Sequence, residues 1–468
     1  MFLKRLSVIL IFVSLLASLS GCQKTPDEAL VKNKKGENLE QEIRDSSLKE
    51  TPNGEENERD TFPEHYQDEF EVNGVVVQVD ADIILPDTGK IASEKIIPQN
   101  FSAEQVREFI RYFAGENNCY PLNVAGSKEE IENQIVLIRQ QIAELKKNGA
   151  AGINEGDGTA QEQIAVLEEE LKQYEEYYQQ AGESQPVDIN EVSFDENGAI
   201  ELQTYLGRAS RALLLCYDYD EMGTLFEFLN YSSALNADEE KLEVGITKEE
   251  AWAMASEVIE ELNLGDLRVK DIKIKGQVVD GRITGYYDIL CQRNWGGLPN
   301  RRIDEAPVVQ TDLPVSQEEQ ETEIYSPIMG QNDESIQVDE TGVIGMSVTA
   351  PPEAVETLNE DVAVCGFDEL KEYFRENIGK KSWKNPAGKT YLKITRIYLS
   401  SMYAVNKNSS QEYFTLPVWD FCGYSYGEDT PEDTAAHLAR LAQDGDQELT
   451  FLTLNALDGS MVSRKTGY

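Results

Sequence analysis

The sequence predicts an α+β fold of antiparallel sheets, each covered by a helix, with an antiparallel, coiled-coil-like helical hairpin inserted. Three observations carry this expectation. Apolar residues alternate with period two in runs separated by Asn-Gly, Asp-Gly and other glycine-bearing turns, the pattern of turn-linked strands. Single amphipathic helices with capping signals stand ahead of those runs. Two adjoining segments repeat their apolar residues every three or four positions on either side of a glycine-rich stretch.

In chain order, the first element is a processing signal. MFLKRL supplies Lys4 and Arg5, and the uncharged core from Leu6 to Leu19 is short of the ~20 apolar residues that a spanning helix needs. Leu19-Ser20-Gly21-Cys22 follows directly and resembles the lipobox of bacterial lipoproteins. That resemblance implies removal of residues 1–21, diacylation of the Cys22 sulfur and anchoring on the extracytoplasmic face of the bacterial cell membrane. Two acyl chains hold stably where one binds marginally. Residues 22–61 are acidic and nearly free of aromatic and β-branched side chains, so they are expected to form a disordered tether reaching roughly 34 Å.

Folded sequence is expected from Phe62. Val75, Val77, Val79, Ala81, Ile83 and Leu85 alternate after an Asn73-Gly74 turn, predicting a long strand. Ser102 and Gln105 form a capping box ahead of a helix that buries Val106, Phe109, Ile110 and Phe113. The hairpin follows over 127–182: Ile131, Ile135, Ile138, Ile142 and Leu145 make one seam, and Ile164, Leu167, Leu171, Tyr174 and Tyr178 the other. It serves either as a structural arm or as an arm for a partner. Strands resume after Pro186, so 62–245 reads as one α+β domain.

Residues 246–355 and 356–468 read as one pattern used twice, a helix followed by about three strands. Thr247 and Glu250 cap the first helix, whose buried stripe is Ala251, Met254, Val258 and Leu262; Leu370, Phe374 and Ile378 form the stripe of the second. Tyr287-Asp288-Ile289-Leu290-Cys291 and Trp419-Asp420-Phe421-Cys422 echo one another within the strands. The segment 299–327, charged and aperiodic, is expected to be a long loop.

Composition narrows the chemistry. Removing the first 21 of 468 residues leaves 447 and takes the net charge from −44 to −46, which disfavours nucleic acid as a partner. With Cys22 lipidated, five scattered cysteines remain (Cys119, Cys216, Cys291, Cys365, Cys422), without CxxC spacing, and are expected to be buried thiols. His65 and His437 are the two histidines, which excludes HExxH and multi-histidine metal sites; both are expected at the surface. Ser46-Ser47-Leu48-Lys49 matches SxxK, but it lies in the expected tether. DENG (195–198), DETG (339–342) and DGS (458–460) sit between strands as turns, not calcium loops. Trp419 in LPVWDF is expected in the core. No catalytic, cofactor or metal residue is assigned.

Together with the lipobox, VNGVVVQVDADIILP, GYYDILCQRNWGGLP, TLPVWDF and FLTLNALDGSMV resemble a Gram-positive lipoprotein family defined as a domain of unknown function. ITKEEAWAMASEVI with its following strands, and LTLNALDGSMV, are distantly similar to PepSY modules. Those helix-on-sheet domains bind or inhibit. The resemblance implies a membrane-anchored, non-enzymatic binding or regulatory module for a protein, peptide or envelope component, without a cofactor. A small-solute-binding lipoprotein and a glycan-active enzyme using paired carboxylates are the alternatives.

Overall fold

The protein is seen as a computed structural model that describes residues 39–46, 62–122, 128–148, 160–181, 185–206, 210–218, 223–230, 234–235, 242–279, 282–301, 304–305, 334–381, 388–406, 408–409, 411–444, 449–464 and 467. The strands are β1 His65–Val72, β2 Val75–Ile84, β3 Ser93–Ile97, β4 Cys119–Pro121, β5 Ala199–Leu206, β6 Ser210–Asp218, β7 Thr224–Asn230, β8 Ala234–Leu235, β9 Leu267–Val279 and β10 Arg282–Trp295. They continue with β11 Leu298–Pro299, β12 Asp304–Glu305, β13 Glu334–Asp339, β14 Gly342–Thr349, β15 Glu353–Asn359, β16 Thr390–Val405, β17 Tyr413–Gly427, β18 Leu449–Asn455 and β19 Met461–Val462. The helices are α1 Leu39–Asp45, α2 Ala103–Ala114, α3 Lys128–Asn148, α4 Ala160–Gln180, α5 Lys248–Glu261, α6 Phe367–Ile378 and α7 Glu432–Asp444.

Two large sheets organise these elements, and the fold is α+β as expected. One has nine strands in the order β1-β2-β16-β17-β18-β12, with β3 paired to β17 and β15, and β19 to β18. The other has ten, in the order β4-β5-β6-β7-β14-β13-β10-β9-β8 with β11 on β10. Most neighbours are antiparallel; β2 on β16 and β12 on β18 are parallel. α2 and α5 cover one face of the ten-stranded sheet through Phe109, Ile110, Val258 and Ile259. α6 covers the inner face of the nine-stranded sheet, where Phe374 stacks on Phe421 at 4.2 Å.

Local signals act where the sequence places them. Asn73 and Gly74 take φ of 52° and 80°, closing the β1–β2 hairpin in two residues. The capping boxes at Ser102/Gln105 and Thr247/Glu250 are both formed. The β2 stripe is buried from Val75 to Ile83, whereas Leu85 lies beyond the strand, against Pro86, and is 37% exposed. In the hairpin, Arg139 pairs with Glu175 and Lys146 with Glu168, both at 2.8 Å, fixing an antiparallel register. Its apolar cluster contains only residues of its own two helices and of Ala181 beside them, so the hairpin packs upon itself. At ~1.5 Å per residue its 21-residue helices make an arm about 30 Å long.

The pairing of strands departs from the consecutive units 62–245, 246–355 and 356–468. β1, β2 and β3 belong to the sheet built by the C-terminal strands, because β2 runs beside β16 from Val75↔Thr390 to Ile84↔Tyr398. The strands of 199–230 and those of 267–349 form one sheet through β7 and β14. Hairpin signals specify nearest neighbours in sequence and say nothing of which distant strand fills an open edge. Within each sheet the helix-then-meander order persists, α5-β9-β10-β13 and α6-β16-β17-β18, and α2 followed by β5-β6-β7 repeats it a third time.

A second departure concerns the expected tether. Residues 39–45 are helical, and Ile43 is fully buried against Leu358, Met402, Ala404, Phe414, Leu416 and Val418. Leu39 and Ile43, one turn apart in an otherwise polar segment, give the helix an apolar edge. Cys22, the hairpin tip and residues 302–303 and 306–327 of the expected long loop lie outside the described residues, while Asp304 and Glu305 within that loop pair with β18.

The two sheets meet at the turn Asn294-Trp295-Gly296-Gly297-Leu298. Gly296 has φ 56° and its carbonyl accepts from Ala92 N at 2.9 Å. Trp295 Nε1 donates to Tyr403 Oη at 2.9 Å, Leu298 enters the core of the nine-stranded sheet, and Asn300 forms a bridge with Ser401.

Candidate binding face

The outer face of the nine-stranded sheet, opposite α6, changes character along β16 and β17. At one end Met402, Ala404, Phe414, Leu416 and Val418 lie under α1. In the middle, Arg464 and α7 cover Ser400, Asp420 and Arg396; Arg396 Nη1 donates to the Ala442 carbonyl at 3.0 Å. At the other end three tyrosines stand half-buried. β16 and β17 place Tyr391 directly opposite Tyr426, and alternation along β17 puts Tyr424 on the same side. Tyr391 and Tyr426 stack at 5.1 Å and 11°, and Tyr424 and Tyr426 at 6.3 Å and 23°. Burial pushes the Tyr424 and Tyr426 phenols above their ordinary range, so both stay neutral hydrogen-bonding groups.

Charge flanks this ladder. Lys393 lies opposite Tyr424 on β17 and Gln78 on β2. On the β1–β2 hairpin His65 contacts two carboxylates, through Nδ1 to Asp82 Oδ1 at 2.8 Å and through Nε2 to Asp80 Oδ1 at 2.9 Å. Those hydrogen bonds, to Asp82 first and then Asp80, raise the imidazole above its usual value. Gln67 also donates to Asp80, at 2.7 Å, and Lys389 pairs with Glu71 at 3.1 Å. The arrangement offers flat aromatic area, phenolic hydroxyls and both signs of charge on rigid strands, which suits recognition of an extended or ring-bearing ligand.

The buried charges serve the interior. Asp420 receives Arg464 Nε at 2.9 Å, Arg464 Nη2 at 2.7 Å, Ser400 Oγ at 2.5 Å and Thr453 Oγ1 at 2.9 Å. Burial alone would raise its carboxyl, but the Arg464 guanidinium and the hydroxyl donors hold it below the carboxylate range. Arg464 also donates through Nη2 to Ser400 Oγ at 2.5 Å and through Nη1 to the carbonyls of Ser401 and Arg301. Asp288, its counterpart in the echoed motif, accepts from Ser335 Oγ at 2.8 Å and pairs with Lys275 at 2.5 Å. Glu334 pairs with Arg293 at 3.0 Å and accepts from Thr349; burial nevertheless pushes its carboxyl up.

Other expected positions resolve simply. The five described cysteines, Cys119, Cys216, Cys291, Cys365 and Cys422, are buried thiols, and burial pushes those of Cys119 and Cys365 up to about 11 and about 12. His437 is exposed on α7. His65, the first residue of β1, is exposed. Asp195, Asp339 and Asp458 each accept a backbone N–H two residues on, as turn residues do. Trp419 is fully buried and stacks on Phe62 at 4.9 Å. Among the described residues no group of three or more His, Cys, Asp or Glu side chains is placed to hold a metal ion, and no helix is long and apolar enough to cross a membrane. The tyrosine ladder escapes a reading of the sequence because it depends on the β16–β17 register; the alternation in Cys422-Gly423-Tyr424-Ser425-Tyr426 is its local trace.

No protein-family model matches the chain, and no curated relative matches it. Among solved structures it is similar to an uncharacterized protein from Eubacterium rectale, at 13% identity and a TM-score of 0.41 over 91% of this chain and 98% of that one.

Proposed function

We propose that this protein is a membrane-anchored, extracytoplasmic lipoprotein that acts as a non-catalytic binding or regulatory module for a protein, peptide or envelope component. The observation that carries the binding reading is the ladder of Tyr391, Tyr426 and Tyr424 on paired strands, half-open to solvent and flanked by Lys393 and the His65–Asp80–Asp82 cluster. The anchor rests on Leu19-Ser20-Gly21-Cys22 after its apolar core. The mostly antiparallel pairing, broken by β2–β16 and β12–β18, favours this reading over a two-lobed solute receptor with parallel sheets.

The test uses the full chain in its own membranes. Crosslinking followed by purification should return a reproducible partner that a Tyr391→Ala/Tyr426→Ala variant loses, and Cys22→Ser should move the protein from the membrane to the soluble fraction. An unchanged partner set in the tyrosine variant would sink the assigned face; a Cys22→Ser protein still on the membrane would sink the anchor.

A further inference from the structure

The tyrosine face offers a ligand side chains rather than backbone. Tyr391 and Lys393 sit on β16, which is paired to β17 on one edge and to β2 on the other, and β2 is closed in turn by β1. A peptide that adds itself as a strand needs open main-chain N–H and C=O groups, and at these positions both strands have spent theirs. The side chains are of two kinds. The rings of Tyr391 and Tyr426, parallel within 11° at 5.1 Å, are offset, so part of each ring face stays uncovered. Among the described residues the phenols of Tyr391, Tyr424 and Tyr426 and the Lys393 ammonium make no hydrogen bond. Beside them, register and alternation put Gln78 of β2 and Gln67 and Glu69 of β1 on the same side of the sheet. Those polar side chains are held in place, Gln67 by Asp80 at 2.7 Å and Gln78 by Glu69 at 2.9 Å. With neighbouring strands about 4.8 Å apart, the strip from β17 to β1 is about 14 Å across.

We propose that the ligand of this face is an uncharged glycan, a short run of sugar rings lying across β17, β16, β2 and β1; this rests on reading the tyrosine face as the binding face, and names what it binds. A sugar ring presents C–H groups that pack on the electron-rich face of an aromatic ring, and a rim of hydroxyls that both donate and accept. The offset tyrosines match the first, and the unbonded phenols, the glutamine amides and the carboxylates match the second. Charge sets the class of glycan. A polyanion would approach a chain of net charge −44 past Glu69, Glu71 and Asp80, and Lys389 is already held by Glu71 at 3.1 Å. A protein partner would anchor on aromatic side chains seated in desolvated pockets. Here the rings stand half-buried on a sheet face beside Lys393, Gln78 and Glu69, with Val76 as an apolar neighbour of Tyr391.

The experiment titrates the full chain by calorimetry with cellohexaose, chitohexaose, maltohexaose and mannohexaose, and with hexagalacturonate as the charged comparison. At least one neutral hexasaccharide should bind, and hexagalacturonate should not. Tyr426→Ala should weaken that binding about tenfold or more. Tyr391→Phe/Tyr426→Phe keeps the stacked rings and removes two hydroxyls, and should weaken it about threefold or more. Binding of none of the neutral hexasaccharides, a preference for hexagalacturonate, or an unchanged affinity in the double phenylalanine variant overturns the proposal, the last even where Tyr426→Ala fails to fold. A crosslinked partner lost in the Tyr391→Ala/Tyr426→Ala variant while no glycan binds keeps the face and rejects the glycan. An unchanged partner set with no glycan bound rejects both.

Discussion

Replacing Arg464 by methionine is expected to destabilise the protein by about 4 kcal/mol at pH 7, and by much less at pH 5. The change keeps the volume of the side chain but leaves the buried Asp420 with only the hydroxyls of Ser400 and Thr453 as donors, and it strands the carbonyls of Ser401 and Arg301. A buried charge deprived of its partner costs about 3–5 kcal/mol. The carboxyl can escape that cost by taking up a proton, and from an unfolded pKa of about 3.9 this costs about 4 kcal/mol at pH 7 but only about 1.5 at pH 5. In the unmodified protein the sign is the opposite of a strained acid. Its folded carboxyl is depressed, so its contribution is complete above the unfolded value and is lost as pH falls through the lower folded value. Urea unfolding followed by tryptophan fluorescence reports the change, since Trp419 is the neighbour of Asp420 and stacks on Phe62. A loss below about 1 kcal/mol at pH 7, or an equal loss at both pH values, would refute the reasoning.

Gly296→Ala is expected to destabilise by more than about 2 kcal/mol, because a Cβ there meets Ala92 O at 1.9 Å on a backbone at φ 56°; thermal melts of the two proteins check it. His65 should titrate above the ordinary histidine range by NMR, and Asp82→Asn should bring it down. Because the folded value is raised, the favourable interaction is complete below the unfolded value, near 6.5, and fades as pH rises through the folded one. The five thiols, Cys119, Cys216, Cys291, Cys365 and Cys422, should resist an aromatic disulfide reagent in the native protein and react together in denaturant; rapid native labelling of any of them would contradict their burial.

What the sequence makes legible is what neighbours decide. Asn73-Gly74 closes a hairpin, Ser102 with Gln105 and Thr247 with Glu250 begin helices, and the isoleucines from Ile131 to Ile142 zip onto α4, all within short reach of the residues that signal them. The assignment of β2 to β16 is decided more than 300 residues away. The candidate face likewise depends on strand pairing rather than on adjacent residues. Tyr391 and Tyr426 meet only once β16 and β17 are in register, and His65 finds Asp80 and Asp82 only across a folded hairpin. α1 marks the boundary between the two: Leu39 and Ile43 are visible at helical spacing, but two apolar residues in a polar run acquire meaning only from the floor that receives them.

The union of β1–β3 with the C-terminal strands also sets an order of events during synthesis. β2 emerges early, yet one of its two neighbouring strands begins at Thr390, and the guanidinium that neutralises Asp420 arrives only with Arg464. The ten-stranded sheet has all its strands once Thr349 has been made, whereas the nine-stranded sheet waits for Val462. Until then the β16-facing edge of β2 is an open, aggregation-prone edge, and a chain that stops before Arg464 carries a buried carboxylate without its cation. Loss of Arg464 is thus read out as failure of a sheet whose first strand begins at His65, about 400 residues earlier.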